Sequence, residues 1–240
     1  MIRGWIQPVR SRWGLPAQSL PCLIVAASLP GCAPPQQCLD VDALPAGEQV
    51  QIIGDSVFDF NEDACEDISD YLSLSLGAQV EDRSVGGTWL DHPEDDDIVT
   101  SYQAGPWPWV IVDGGGNDLL GECGCECTAE QVARLSDLSG TTGAMPALVE
   151  QIVADGAQVL LFGYYAPTAS SEFGGCLDEL ELLSTGYAAI AARFPEVTFL
   201  DGRDLIDASV DRDLLHGDGV HLTGPAAARV AQAMLPIVSQ

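Results

Sequence analysis

Trp109-Val110-Ile111-Val112-Asp113-Gly114-Gly115-Gly116-Asn117-Asp118 is the stretch on which the fold turns. Four large apolar residues in a row lack the alternation of a half-exposed strand, so Trp109–Val112 reads as a strand buried on both faces. The glycines after it make a loop where backbone can approach a ligand closely. The same pattern recurs outward. Val50–Ile53 runs into Gly54, residues 78–85 run into Gly86-Gly87, and residues 158–162 and 197–200 are short apolar runs. Helical segments lie between them. Cys65, Ile68, Leu72 and Leu76 recur at helical spacing, so 61–76 reads as a helix stopped by Gly77. Pro146 opens a second helix that Gly156 ends, residues 177–194 form a third weakened by Gly186, and Gly224-Pro225 opens an alanine-rich last helix to Val238. Short buried strands alternating with helices imply an α/β fold with a mainly parallel five-stranded sheet.

Composition narrows the functional classes. The chain has 240 residues, 47% of them hydrophobic, enough to build a core. It carries 36 acidic and 9 basic residues, a formal charge of −27, and every basic residue is arginine. Without lysine there is no P-loop, no Schiff-base chemistry and no Ser-x-x-Lys nucleophile. So negative a surface repels phosphates, which argues against nucleic-acid binding. Gly-x-Ser-x-Gly, His-Glu-x-x-His and Gly-x-Gly-x-x-Gly are all missing. The acidic run 94–97 reads as a solvated loop.

The front of the chain differs from the rest. Residues 1–31 hold Arg3, Arg10 and Arg12 but no acid, and an apolar run follows from Leu20 to Leu29. This reads as a signal peptide over 1–31, with a Pro- and Gln-rich tether over 32–47 and the folded domain over 48–240. Leu29-Pro30-Gly31-Cys32 resembles the lipobox of bacterial lipoproteins, which would anchor the chain to a membrane through lipid on Cys32. Cleavage near Ala26-Ala27-Ser28, or an N-terminal helix that stays attached, are the other readings. Export would place the protein in the periplasm, outside the cell or on a bacterial membrane. There are eight cysteines; setting aside Cys22 and Cys32 leaves Cys38, Cys65, Cys123, Cys125, Cys127 and Cys176. An even number in an exported chain favours disulfides, with fifteen formal pairings. Cys38–Cys65, and one of Cys123, Cys125 or Cys127 with Cys176, are expected. A zinc site at Cys123–Cys127 is the lesser reading, because C-x-C-x-C lacks the usual ligand spacing.

Sites in open α/β sheets form beyond the carboxyl ends of the strands. Those ends read Gly54-Asp55-Ser56, Ser84-Val85-Gly86-Gly87 and Gly115-Gly116-Asn117-Asp118, and Asp218-Gly219-Val220-His221 precedes the last helix. A hydroxyl, loose glycine backbone, an amide donor and an Asp/His pair are the ingredients of acyl transfer. Singly, each segment has a plain structural reading as a turn or a cap. In this order, the four resemble the four blocks of the SGNH, or GDSL-type, hydrolase superfamily, with valine where many members have Gly-Asp-Ser-Leu.

The resemblance implies a three-layer α/β/α sandwich of flavodoxin-like type. It also implies a serine esterase, lipase or carbohydrate O-deacetylase that works through an acyl-enzyme without metal or organic cofactor. Ser56 would be the nucleophile, His221 the general base and Asp218 its partner. The oxyanion hole would be the backbone of Ser56, the backbone of Gly87 (or Gly86) and the amide of Asn117. The substrate would be a small-molecule, glycan or lipid ester. A catalytically silent, surface-anchored binding module that keeps the fold is the alternative. Asp55 and Asp118 are expected to hold turns, and Asp113 is left without a role. Trp89, Tyr164 and Tyr165 are expected to line a pocket or simply pack. His92 and His216 read as exposed loop residues.

Overall fold

The computed structural model describes residues 41–47, 49–92 and 97–240. The readings for the signal peptide, the lipobox and Cys38 lie outside these residues. Five strands form one parallel sheet: β1 (Val50–Ile53), β2 (Glu81–Asp82), β3 (Trp109–Val112), β4 (Gln158–Gly163) and β5 (Val197–Asp201). Their spatial order is β2-β1-β3-β4-β5. Val50 pairs with Trp109, Trp109 with Gln158, and Val159 with Val197. This is the flavodoxin-like order, and its direction of winding reverses between β1 and β3.

Helices cover both faces. The chain adds α1 (Ser56–Asp59), α2 (Ile68–Leu76), α3 (Ile98–Ser101), α4 (Gly116–Cys123), α5 (Ala129–Leu135), α6 (Ala144–Ala154), α7 (Leu177–Arg193) and α8 (Gly224–Val238). Successive strand residues face opposite sides. Ile52, Ile111 and Leu160 therefore pack against Ile68 and Leu72 of α2 and Val230 and Met234 of α8. Val110, Val112, Val159 and Leu161 pack against Leu148 and Ile152 of α6 and Leu183 and Ile190 of α7. The result is the expected α/β/α sandwich.

Three local readings change. The helix expected over 61–76 begins only at Ile68, where Asp67 accepts the Asp70 N–H at 2.7 Å as its N-cap. Ahead of it, Asn61 (φ 81°) and Cys65 (φ 54°) are left-handed and bracket a single 3-10 turn, Glu62–Ala64. The strand expected over 78–85 shortens to Glu81–Asp82, because Ser84 turns back to bond the Asp82 carboxylate. Asp97 is buried and caps α3 by accepting the Thr100 N–H, so it is no part of a solvated loop; residues 94–96 lie outside the described residues. Gly186 does not break α7. A Cβ there would stand 2.6 Å from Ser136 Oγ, so glycine is what lets α7 approach the segment after α5.

Among the described residues, Cys123 pairs with Cys127 and Cys125 with Cys176. The Cys176 link is the one expected; the short Cys123–Cys127 link was not anticipated and takes up the rest of the cluster read as a lesser zinc candidate. Cys65 is also held in a disulfide. At the end of the segment read as a tether, Val41–Ala43 forms a 3-10 turn and the Pro45 carbonyl accepts the Gln79 N–H at 2.9 Å.

Candidate active site

β1 ends in Gly54-Asp55, and Ser56 opens α1 directly after it. Only glycine fits at 54, since a Cβ would lie 1.9 Å from Asp113 Oδ1. Asp55 caps α1 by accepting the Val57 N–H at 2.9 Å. Ser56 is thereby held at a helix start, where an amide has no partner within the helix.

From the loop before α8, His221 places Nε2 3.0 Å from Ser56 Oγ, and its Nδ1 lies 2.8 Å from Asp218 Oδ2. An ionised carboxylate only accepts, so the proton belongs on Nδ1 and leaves Nε2 free to accept from the serine hydroxyl. Asp218 Oδ1 accepts the Val220 and His221 N–H groups at 2.8 and 3.1 Å, closing a tight loop around the pair. Partial burial pushes the Asp218 carboxyl upward. The bonds from His221 and from these backbone amides outweigh that and hold it below the usual carboxylate range.

Phe60, not singled out in the sequence, stacks on the His221 imidazole with centroids 4.1 Å apart and planes at 5°, and His216, read there as an exposed loop residue, packs edge-on against Phe60 at 4.9 Å. Asn61 accepts at Oδ1 from His216 Nε2 (3.1 Å) and donates from Nδ2 to the Leu222 carbonyl (2.8 Å). His216 is thus a brace, not a free loop histidine. His92 is half-buried and packs edge-on against Trp89 at 4.8 Å. Phe60 lies four residues after Ser56, one helical turn on, but that spacing alone does not reveal its contact with His221.

Asn117 enters from the first turn of α4, after β3. It lines a cavity together with Ser56, and its Nδ2 donates to the Thr88 carbonyl at 2.8 Å, tying down the glycine loop. Gly86 and Gly87 differ in what they offer. The Gly86 N–H donates to Asp59 Oδ2 at 2.7 Å, whereas no hydrogen bond of the Gly87 N–H is present among the described residues.

A buried acidic network ties β1 to β3 and β4 beneath the site. Asp113 Oδ1 accepts the Asp55 N–H at 2.9 Å, Asp55 Oδ2 accepts from Tyr164 Oη at 2.5 Å, and the Gly116 N–H donates to the same Tyr164 oxygen at 2.9 Å. Burial raises the Asp55 carboxyl, though its bonds to Tyr164 and Val57 oppose this. Burial, and then the neighbouring Asp55 charge, push Asp113 well up. Of the two, Asp113 is the one pushed further up. Asp118 accepts the Leu90 N–H at 2.7 Å and is raised by burial to about 6. Among the described residues no group of three or more His, Cys, Asp or Glu is arranged to hold a metal ion, and no helix is long and apolar enough to cross a membrane.

Comparison with known proteins agrees with this architecture. Residues 52–229 match the GDSL-like Lipase/Acylhydrolase family. No curated protein matches the chain. Among solved structures, the chain resembles LAE5, an alpha/beta hydrolase enzyme from the metagenome of Lake Arreo, Spain, with TM-score 0.58 and 16% identity over 82% of this chain and 97% of that one. It resembles TesA with TM-score 0.56 and 19% identity over 78% and 96% of the two chains. It also resembles Axe2, an acetyl xylan esterase from Geobacillus stearothermophilus, with TM-score 0.55 and 16% identity over 81% and 96%. At such identities these likenesses speak for the fold. The family match spans most of the chain, and the chain accordingly belongs to the GDSL-like lipase/acylhydrolase family, as an ester hydrolase of SGNH type.

Proposed function

We propose that the chain is a serine esterase that cleaves carboxylic esters through an acyl-enzyme. The observation that carries this reading is the unbroken hydrogen-bonded line from Ser56 Oγ through His221 to Asp218. Ser56 Oγ attacks the ester carbonyl while His221 Nε2 takes its proton. Asp218 holds the Nδ1 tautomer and stabilises the imidazolium. The oxyanion is met by the Ser56 N–H, the Gly87 N–H and the Asn117 amide. Collapse breaks the ester C–O bond, and His221 returns the proton to the leaving alcohol. A water then attacks the acyl-enzyme, again deprotonated by His221, and Ser56 is released with a carboxylic acid. Gly87 is favoured over Gly86 because the Gly86 N–H already has Asp59 as its acceptor.

Export belongs to the same proposal. The basic, apolar leader and the disulfides support passage into an oxidising compartment, with or without lipid on Cys32. Labelling with a fluorophosphonate tests the mechanism. The wild-type chain should react and hydrolyse p-nitrophenyl acetate, and Ser56→Ala should do neither. Unchanged hydrolysis in Ser56→Ala would remove Ser56 as nucleophile. A folded wild type inert to both reagents would favour a silent binding module instead.

A further inference from the structure

We infer that the site takes short acyl groups, of about two to four carbons, and that Phe173 and Leu180 set that limit. The inference rests on the esterase reading above. A cavity opens beside Ser56 and Asn117, with Tyr164, Tyr165, Phe173 and Leu180 among its walls. His221 does not line it. The leaving alcohol must touch His221 Nε2 to receive its proton, so the cavity holds the other half of the ester, the acyl group. Its volume is about 30 Å³. On that scale a single water needs roughly 10–15 Å³, so there is room for two or three water-sized groups.

The walls have little freedom to retreat. Tyr164 is gripped by Asp55 Oδ2 and the Gly116 N–H. Tyr165 donates to the Val220 carbonyl. Phe173 stands in the loop between β4 and α7, where its carbonyl accepts the Cys176 N–H at 2.9 Å. Cys176 in turn is bonded to Cys125, just past the end of α4, and its carbonyl accepts the Leu180 N–H at 2.8 Å. One disulfide thus ties the segment carrying both of these wall residues to the end of the helix that carries Asn117. On this reading a longer chain meets Phe173 and Leu180, and each methylene that finds no room is worth roughly 10–200-fold in selectivity.

The test is a series of p-nitrophenyl esters from acetate to octanoate, run on the full chain and on Phe173→Ala, with fluorophosphonate labelling alongside. The expected wild-type kcat/KM falls by at least roughly 10-fold between butyrate and hexanoate, and Phe173→Ala raises the hexanoate-to-acetate ratio by a similar factor. Phe173 is half-buried, so this variant should fold. Leu180→Val, the milder change, should move the ratio the same way and stands in if it does not. Labelling together with equal or better hydrolysis of octanoate overturns the pocket reading alone. So does a chain-length profile that neither variant moves. Loss of both labelling and hydrolysis in a folded wild type overturns the esterase reading and this one with it.

Discussion

Phe60 lies face to face with His221, centroids 4.1 Å apart and planes at 5°, while the edge of the imidazole joins Ser56 and Asp218. Phe60 follows α1 and so reaches His221 from the same short element that begins with Ser56. Ser56 and His221, the proposed nucleophile and base, are thereby both held by one short turn. An aromatic face also favours the imidazolium that forms as the serine proton is taken, by about 1–2 kcal/mol when shielded from water. Phe60→Leu should lower kcat by roughly 5–30-fold with KM little changed, and Phe60→Trp should restore most of it. Steady-state kinetics on a short-chain ester decide the matter; equal losses in both variants would mean that Phe60 merely packs.

Asn117 ties down Thr88 and, on the proposed mechanism, also donates to the oxyanion. Asn117→Ala should reduce kcat by roughly 10²–10³. A change confined to KM would count against the donor role.

Asp59 distinguishes the two glycines. Its carboxylate takes the Gly86 N–H, so Asp59→Ala frees that amide. If Gly87 supplies the backbone donor, kcat should stay level or fall as the glycine loop loses an anchor. A rise in kcat would move the assignment to Gly86. Single-turnover acylation rates read this without interference from product release.

Stability should rise on mild acidification. Burial lifts Asp67 and Asp118 to about 6 and raises Asp55 and Asp113 as well. A carboxyl whose folded pKa exceeds its unfolded one binds its proton more readily in the native state. Its contribution is full below the unfolded pKa and is lost as pH climbs through the folded value. Thermal melts should therefore show Tm increasing as pH falls from about 8 towards about 5, with Asp118→Asn flattening part of that slope. A Tm that drops steadily over this range would refute the account. Asp218, held low by its hydrogen bonds, acts in the opposite sense and loses its contribution only in stronger acid.

Elements bounded by unbroken apolar runs were legible from sequence. Val50–Ile53, Trp109–Val112 and Gly224–Val238 stand where periodicity placed them, since burial on both faces or along one stripe leaves a direct mark. The start of α2 was not legible. Ile68, Leu72 and Leu76 share a helical period with Cys65, but the break at Asn61 and Cys65 answers to distant partners: Asn61 reaches His216 and Leu222, and Cys65 is in a disulfide. Ser56, Asn117, Asp218 and His221 were singled out by the resemblance of their segments to the SGNH blocks, and the structure brings Ser56, His221 and Asp218 into one hydrogen-bonded line. Phe60, Asp59 and Phe173 were not singled out, because an aromatic ring or an acid becomes informative only once its neighbour in space is known.

The proposed reacting groups all lie at the carboxyl rim of one parallel sheet, and the amino rim carries none of them. The turns at 105–108, 155–157 and 194–196 that feed β3, β4 and β5 lie at that far edge. For anyone wishing to immobilise the protein on a bead or splice it to a carrier, that edge is the handle to grasp. The chain has no lysine, so Glu196→Lys at an exposed turn position would create a solitary side-chain amine for coupling, pointing the working rim toward solvent.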